Sequence, residues 1–405
     1  MKNLLMVVTH YAPLNISGTL RAVKFSQDLP DFGWNVHVLR PVRYLKILYP
    51  DQSRPIPDGV IIHTVPHFAP SEFLPALVGR MGINPLWIVM PDAMRFWYLF
   101  AVRKGIQVVE KHRIDAIFCT VPQYTGALVA AEIARRTSIP FVYDVRDSWN
   151  REPELHPMPT AWHQRRNLAM ERRVVKISST VTTVRQALVS QYQQDYPNAN
   201  VRQISHGFDP SDIPSADYIP HLGELHLIHL GTIYRGSNNR HPDTVFHAIR
   251  NLIDRSEIPQ DKVHIAFVGN AVDAVSSLVN RFELTDSVQY IPQQPYLTAV
   301  QKMLTANVLL MIERTNSIPN KFYEYLATGL PTLILSDNAE IQQIVTGYTD
   351  NSYVLSPNDT TAIESALLDM YRNPRLNSKL QAYRARFSRR GQAEQLATLL
   401  DELTV

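Results

Sequence analysis

Short apolar runs alternate along this chain with longer segments whose apolar positions recur at helical spacing. Asn3 to Thr9 is β-branched and aliphatic, the pattern of a strand covered on both faces in a parallel sheet. A loop with Pro13 and Gly18 follows, and then Leu20, Val23, Phe25 and Leu29 mark one face of a helix. Gly33 precedes a second run, Trp34 to Leu39. Strand, loop, helix and strand in this order predict the opening of a doubly wound α/β fold. The loop has a single glycine, so it is not a dinucleotide fingerprint. It reads equally as a close approach to a ligand and as a plain turn.

The alternation continues. Residues 41–85 are proline-rich and irregular, with a strand expected at Val60 to Val65. Phe96 to His112 reads as a helix, Ala116 to Thr120 as a strand and Ala127 to Arg136 as a helix. The strand Phe141 to Val145 ends in Arg146-Asp147-Ser148-Trp149. Charged groups at the carboxyl end of a parallel strand stand where open α/β sheets bind ligands. Met158 to Ile177 reads as a basic helix with Arg165, Arg166, Arg172, Arg173 and Lys176. Strands at Val181 to Val184 and Val201 to Ile204 precede a loop with Pro214 and Pro220, the expected domain boundary. The pattern then restarts. Strands are expected at Leu225 to Leu230, Val263 to Val268, Val288 to Ile291 and Val308 to Ile312, with a helix at Asp243 to Asp254. Ile363 to Val405 reads as mostly helical, broken at Phe387 to Gly391. Two similar lobes are therefore expected, residues 1–205 and 206–385, followed by a last segment, 386–405.

Between the strand ending at Ile312 and the apolar run Thr332 to Leu335 lies the most informative stretch, Ser317 to Pro331. It predicts a helix capped by Ser317 or Asn316, with Pro319 in the first turn and Gly329 and Pro331 ending it. A free helix N-terminus attracts phosphate. Lys321 lies one turn in, and Glu324 follows three residues later on much the same face. That arrangement suits a nucleotide, with diphosphate at the helix end and ribose hydroxyls on the carboxylate. An ordinary capped helix packing through Phe322, Tyr325 and Leu326 fits the same residues.

Composition narrows the setting. The chain has 405 residues, 45% hydrophobic and 19% charged, values typical of a globular protein, and its length suggests two domains. The single cysteine, Cys119, excludes an internal disulfide framework and fits a reducing, cytoplasmic compartment. Met1 to Thr9 reads as a strand and not as a signal peptide, and the apolar stretch Leu86 to Val102 is interrupted by Pro91, Asp92 and Arg95. The formal net charge of +3 is unevenly shared, with 24 basic and 15 acidic residues in 1–205 against 16 and 22 in 206–405. A basic first half fits a phosphorylated acceptor, an anionic membrane surface, nucleic acid or simply a solvated basic face. No recognisable nucleic-acid-binding motif accompanies it.

Several pieces in order along the chain resemble the retaining glycosyltransferases of GT-B fold in the large family 4, and most closely its bacterial cell-surface polysaccharide branch. They are Tyr11-Ala-Pro with Arg21, Phe32-Gly-Trp34, Asp115 to Pro122, Pro140 to Trp149, Glu171-Arg172 and His206-Gly-Phe-Asp209. In the second half they are Gly231-Thr-Ile-Tyr234 with Arg240, and Lys321 to Pro331. The resemblance implies two Rossmann-like lobes facing across a cleft, with the C-terminal helix crossing back to the first lobe. It implies a nucleotide-sugar donor, a UDP- or GDP-sugar, and a glycan or lipid-linked acceptor, with no metal and no other cofactor. The basic first lobe, by its charge, adds the expectation of a cytoplasmic enzyme in peripheral contact with the inner face of an anionic membrane.

On the donor side the resemblance points to Gly231, Thr232, Arg240, Ser317, Asn320, Lys321 and Glu324, and on the acceptor side to Gly18, Arg21, Arg146 and Asp147. Arg240, Lys321 and Asp147 are the expected catalytic residues: negative charge grows on the leaving diphosphate, which the fixed positive charge of Arg240, Lys321 and the helix start would stabilise, while Asp147 would bind the acceptor or the donor sugar. Arg146 either holds a phosphate or balances Asp147, and no general base is assigned. Many family members carry a pair of glutamates here. Glu324 matches the second, Ser317 stands in place of the first, and His206 replaces a usual asparagine. A nucleotide-sugar epimerase of the same fold, or a non-catalytic sugar-nucleotide-binding partner protein, are the alternatives.

Overall fold

Short, mainly apolar runs build the centres of two wholly parallel sheets. The computed structural model describes residues 1–14, 17–42, 54–67, 89–150, 158, 160–213, 221–231, 233, 242–313 and 317–404. Among these the chain forms two compact units, Met1–Ser205 with Arg390–Val405, and His206–Arg389.

The first unit comprises β1 (Lys2–Val7), α1 (Ser17–Asp28), β2 (Trp34–Val42), β3 (Ile61–Pro66), α2 (Tyr98–His112), β4 (Ala116–Val121), α3 (Tyr124–Thr137), β5 (Phe141–Val145), α4 (Ala161–Ile177), β6 (Thr180–Thr183), α5 (Gln186–Asp195) and β7 (Val201–Gln203). The second comprises β8 (Leu225–Leu230), α6 (Asp243–Asp254), β9 (Val263–Val268), α7 (Val272–Arg281), β10 (Val288–Ile291), α8 (Tyr296–Met303), β11 (Val308–Ile312), α9 (Asn320–Thr328), β12 (Thr332–Leu335), α10 (Ala339–Tyr348), β13 (Tyr353–Leu355), α11 (Thr360–Arg372) and α12 (Leu380–Phe387). A last helix, α13 (Arg389–Leu403), ends the chain.

The first sheet has the order β3-β2-β1-β4-β5-β6-β7 and the second β10-β9-β8-β11-β12-β13. Each therefore reverses direction once, between β1 and β4 and between β8 and β11, and such a reversal opens a ligand crevice at the carboxyl ends of the strands. The helices cover both faces, which is why strands such as β4 and β11 are buried at every position.

From Arg390 on, helix α13 belongs to the first unit. Its Ala393, Leu396, Leu399 and Leu400 are buried with Leu4, Met6, Trp34 and Val36. Burying each leucine contributes roughly 1.5–3 kcal/mol. The ion pairs Lys2–Asp401 (3.1 Å) and Arg202–Glu402 (2.7 Å) fasten its end. The expected break at Phe387 to Gly391 shrinks to Ser388, with helix on either side.

Helix starts differ from the sequence pattern where a local cap decides them. A 3₁₀ turn, Ala93–Trp97, precedes α2, and the buried Asp92 carboxylate caps it by accepting from the Met94 amide at 2.9 Å. The expected helix at Ser317 begins later. Pro319 is extended (φ −71°, ψ 154°) and is itself the cap of α9, so Ser317 lies before the helix. Asn316, the loop with Pro214 and Pro220, and most of the proline-rich stretch lie outside the described residues.

Two buried carboxylates knit the first unit. Arg21 of α1 grips Asp144 of β5 with two bonds of 2.9 Å and also donates to the carbonyls of Ile204 (2.8 Å) and Ser205 (2.9 Å). Glu132 of α3 accepts from Arg135 and Arg136 on its own helix and from Arg173 of α4, and the bonds from Arg135 and Arg136 hold its carboxyl down at about 2. Removing one partner of a buried pair strands the other charge. Arg21→Met should therefore destabilise the chain by about 3–5 kcal/mol, read as a lower urea midpoint. An unchanged midpoint would show that Asp144 does not depend on the guanidinium.

Candidate functional site

The second sheet's reversal point brings the sequence-predicted donor residues together. Gly231 follows β8 at φ +113°, a conformation that glycine tolerates best. Gly269, after β9, sits against it, and a Cβ there would come within 2.8 Å of the Gly231 carbonyl oxygen. The two loops can thus pass this closely only without a side chain at that position. Across the reversal, α9 follows β11. Its residues Phe322 to Thr328 are all buried, and its C-terminal cap Gly329 (φ +81°) turns the chain into β12.

Helix α9 aims its N-terminus at this point. A helix leaves its first amides without intrahelical partners, and Pro319 brings no polar side chain to cap them. The Lys321 ammonium donates to the Leu230 carbonyl at 3.0 Å, while the Tyr325 hydroxyl accepts from the Leu230 amide at 2.7 Å. Lys321 is thereby anchored at the end of β8. The Asn320 side-chain oxygen is buried with no hydrogen-bond partner among the described residues. Ser317 is exposed ahead of the helix.

Glu324 is 9% exposed. It accepts from the Tyr296 hydroxyl at 3.0 Å, and an Arg389 nitrogen lies 3.8 Å from the same oxygen. Burial pushes the Glu324 carboxyl above its ordinary value, while Arg389 and Tyr296 pull it back. Arg389 is buried too, and its Nε and Nη2 have no hydrogen-bond partner among the described residues. The site therefore holds a carboxylate, two cations and buried polar atoms that are not fully satisfied. Such an arrangement is suited to an anionic, hydroxyl-bearing ligand.

Tyr296 and Arg389 were not candidates from the sequence. Arg389 lies 65 positions beyond Glu324, and only the fold brings them together. Of the remaining donor candidates, Thr232 and Arg240 lie outside the described residues.

In the first unit the acceptor candidates gather at the other reversal point. Arg146, one residue past β5, donates to the Val121 carbonyl at the end of β4 and to the Gly18 carbonyl at the start of α1, each at 2.8 Å. Burial lowers its pKa, with Asp147 and Asp144 opposing. His10, just after β1, is buried nearby, and burial with the Arg146 charge lowers its pKa to about 4. Arg21 is committed to Asp144 and supports the site from beneath. Asp147 is exposed, so its carboxylate faces solvent.

Two parallel Rossmann-like sheets, each with polar groups at its reversal point, define the GT-B class of α/β proteins. Residues 20–207 match the glycosyl transferase 4-like domain and residues 224–373 match the glycosyl transferases group 1 domain. These two matches account for most of the chain, which belongs to the family 4-like GT-B glycosyltransferases. The structure is similar to sucrose-phosphate synthase from Thermosynechococcus elongatus, with a TM-score of 0.64 and 16% identity over 100% of this chain and 99% of that one. It is similar to the Anabaena protein HepE in complex with UDP, with a TM-score of 0.63 and 17% identity over 99% of this chain and 100% of that one. It is also similar to UDP-GlcNAc 2-epimerase from Methanocaldococcus jannaschii, with a TM-score of 0.54 and 13% identity over 99% of this chain and 100% of that one. A sequence search of curated proteins finds no match.

Because Arg389 lowers the Glu324 pKa against the effect of burial, Arg389→Gln should raise it further. Carbon-13 NMR titration of labelled glutamate measures this directly. An unchanged Glu324 midpoint would show that the guanidinium charge does not reach the carboxylate.

Proposed function

We propose that this glycosyltransferase moves a sugar from a UDP-sugar to a glycan or lipid-linked acceptor, with retention at the anomeric carbon, in cell-surface polysaccharide synthesis. The observation that carries the donor assignment is the pairing of Lys321 and Glu324 on the N-terminal turns of α9, at the reversal point of the second sheet. The diphosphate sits at the helix N-terminus beside Lys321, and the Glu324 carboxylate receives the ribose hydroxyls. HepE, similar in fold, has been solved with UDP and with UDP-glucose, which supports UDP as the nucleotide.

In the reaction the bond between the anomeric carbon and the diphosphate oxygen breaks. A new bond forms from that carbon to the acceptor oxygen, and the acceptor's proton passes to the leaving phosphate oxygen. Lys321, Arg240 and the start of α9 stabilise the charge that grows on the diphosphate, the work a metal ion performs in other transferases. Gly231, Thr232, Ser317 and Asn320 line the donor. Gly18, Arg146 and Asp147 serve the acceptor, with Asp147 touching the sugar and Arg21 positioning the strand beneath. The fold is shared with UDP-GlcNAc 2-epimerases, but both domain matches are to glycosyl transferases, which favours transfer.

No helix among the described residues is long and apolar enough to cross a membrane. The lipid-linked acceptor is instead reached from the inner membrane face through α4 and its neighbourhood. Arg165, Arg166 and Arg172 are exposed on α4 beside Trp162, 58% exposed, and Phe96 in the turn before α2 and Leu99 and Phe100 in its first turn are exposed as well. Both helices pack against α3. A basic surface interleaved with exposed aromatic residues binds anionic lipid headgroups.

Lys321→Ala should lower kcat by about 100-fold or more in a UDP-sugar transfer assay while the circular dichroism spectrum is retained. Glu324→Ala should abolish the thermal shift given by UDP. Full activity and an undiminished UDP shift in both variants would contradict the assignment. On flotation with phosphatidylglycerol-rich vesicles the chain should rise with the lipid, and the double variant Arg165→Glu, Arg166→Glu should remain below. Equal behaviour with neutral vesicles would contradict membrane docking.

A further inference from the structure

Three imidazoles converge in the first unit at a place the proposed transfer reaction does not use. In the parallel register of β2 and β3, His37 pairs with Ile61 and His63 with Leu39. Both imidazoles therefore project from the same face of adjacent strands, two positions apart. Helix α2 packs over this face and ends at His112, four residues before β4 begins. The Asn3 side-chain Nδ2 donates to the carbonyl of His112 at 3.0 Å and fixes the helix end against β1.

The geometry is that of a ligand set. His37 Nδ1 and His63 Nε2 are 3.0 Å apart, and one ligand atom from each of His37, His63 and His112 lies within 4.8 Å of the others. The rings of His37 and His63 are stacked 5.3 Å apart, and that of His112 lies 4.6 Å from the first and 5.3 Å from the second. Two ring nitrogens at this distance need a shared proton, since two lone pairs would repel. A metal ion is the other way to fill the gap. Zinc–nitrogen bonds of about 2.0–2.1 Å place tetrahedral ligand atoms roughly 3.3 Å apart. The His37–His63 pair is already near that separation, and His112, half-buried on the last turn of α2, closes the third side by a side-chain rotation.

The surroundings select the kind of ion. A cavity of about 540 Å³ opens on His63 and His112 and is also lined by Lys104, Glu110 and Lys111. No carboxylate belongs to the three-membered set, and two lysines flank it. Hard cations such as magnesium and calcium require oxygen ligands and gain nothing here. Imidazole nitrogens suit zinc, copper and nickel.

We propose that His37, His63 and His112 bind a first-row transition-metal ion, zinc in the first instance, which ties the edge strand β3 to β2 and to the end of α2. The ion would act on the strand that ends the first sheet, so binding couples to stability and not to sugar transfer.

The test uses the full chain freed of metal by chelation and then titrated with zinc chloride alone. Calorimetry should give one equivalent bound per chain and a zinc-dependent rise in melting temperature. Cobalt substitution should give the intense visible bands of a tetrahedral site. His63→Ala and His112→Gln, both at half-buried positions, should each weaken zinc binding by at least about tenfold, with the circular dichroism spectrum retained. The variant His226→Ala removes a residue of a second cluster, His221, Glu224 and His226, and should leave binding unchanged. The proposal is overturned by no stoichiometric zinc binding in the unmodified chain. It is equally overturned if binding survives in His63→Ala and His112→Gln, or if it is lost in His226→Ala.

Discussion

A carboxylate held almost out of water at the start of a buried helix is the least comfortable group of the second unit. Burial alone pushes the Glu324 carboxyl above its ordinary value. The Tyr296 hydroxyl and the Arg389 guanidinium oppose that tendency, and each comes from a different part of the unit. Arg389 is available because the chain enters and leaves this unit at one place. The Phe208 amide donates to the Phe387 carbonyl at 3.1 Å, and the Arg389 amide donates to the Phe208 carbonyl at 2.8 Å. A Cβ on Gly207 would approach the Phe387 oxygen to 2.4 Å, so this closure also needs glycine. The seam that closes the unit therefore places a buried cation on the site.

The first unit solves the same problem differently. Its reversal point carries Arg146, whose nitrogens hold the end of β4 and the start of α1 by their carbonyls. The nearby charge of Arg21 is neutralised by Asp144, which Thr182 also supports at 2.8 Å. These residues leave Asp147 as the exposed acid at the carboxyl end of β5. Buried polar contacts thus fix the backbone beneath one exposed carboxylate.

Much of this architecture was legible in the sequence, because strands largely covered by helices read as mainly apolar runs. Leu225–Leu230, Val263–Val268, Val308–Ile312 and Thr332–Leu335 fall where the pattern puts them. The helix carrying Lys321 and Glu324 was legible as well, but its start was not. Proline can stand inside a first turn or just before it, and only the extended ψ of Pro319 decides between them. Contacts between distant segments leave no local trace. Arg21 and Asp144 are 123 positions apart, and nothing in their spacing marks them as partners. Tyr296 and Arg389 have no signature beyond their residue types, and the triad His37, His63 and His112 depends on strand register and on where one helix stops.

The most direct measurement is a crystal structure of the chain soaked with UDP. The account requires the diphosphate at the Asn320 and Lys321 end of α9 and the ribose hydroxyls within hydrogen-bond distance of Glu324. UDP bound in the first unit, or in the second with its ribose away from Glu324, would contradict it.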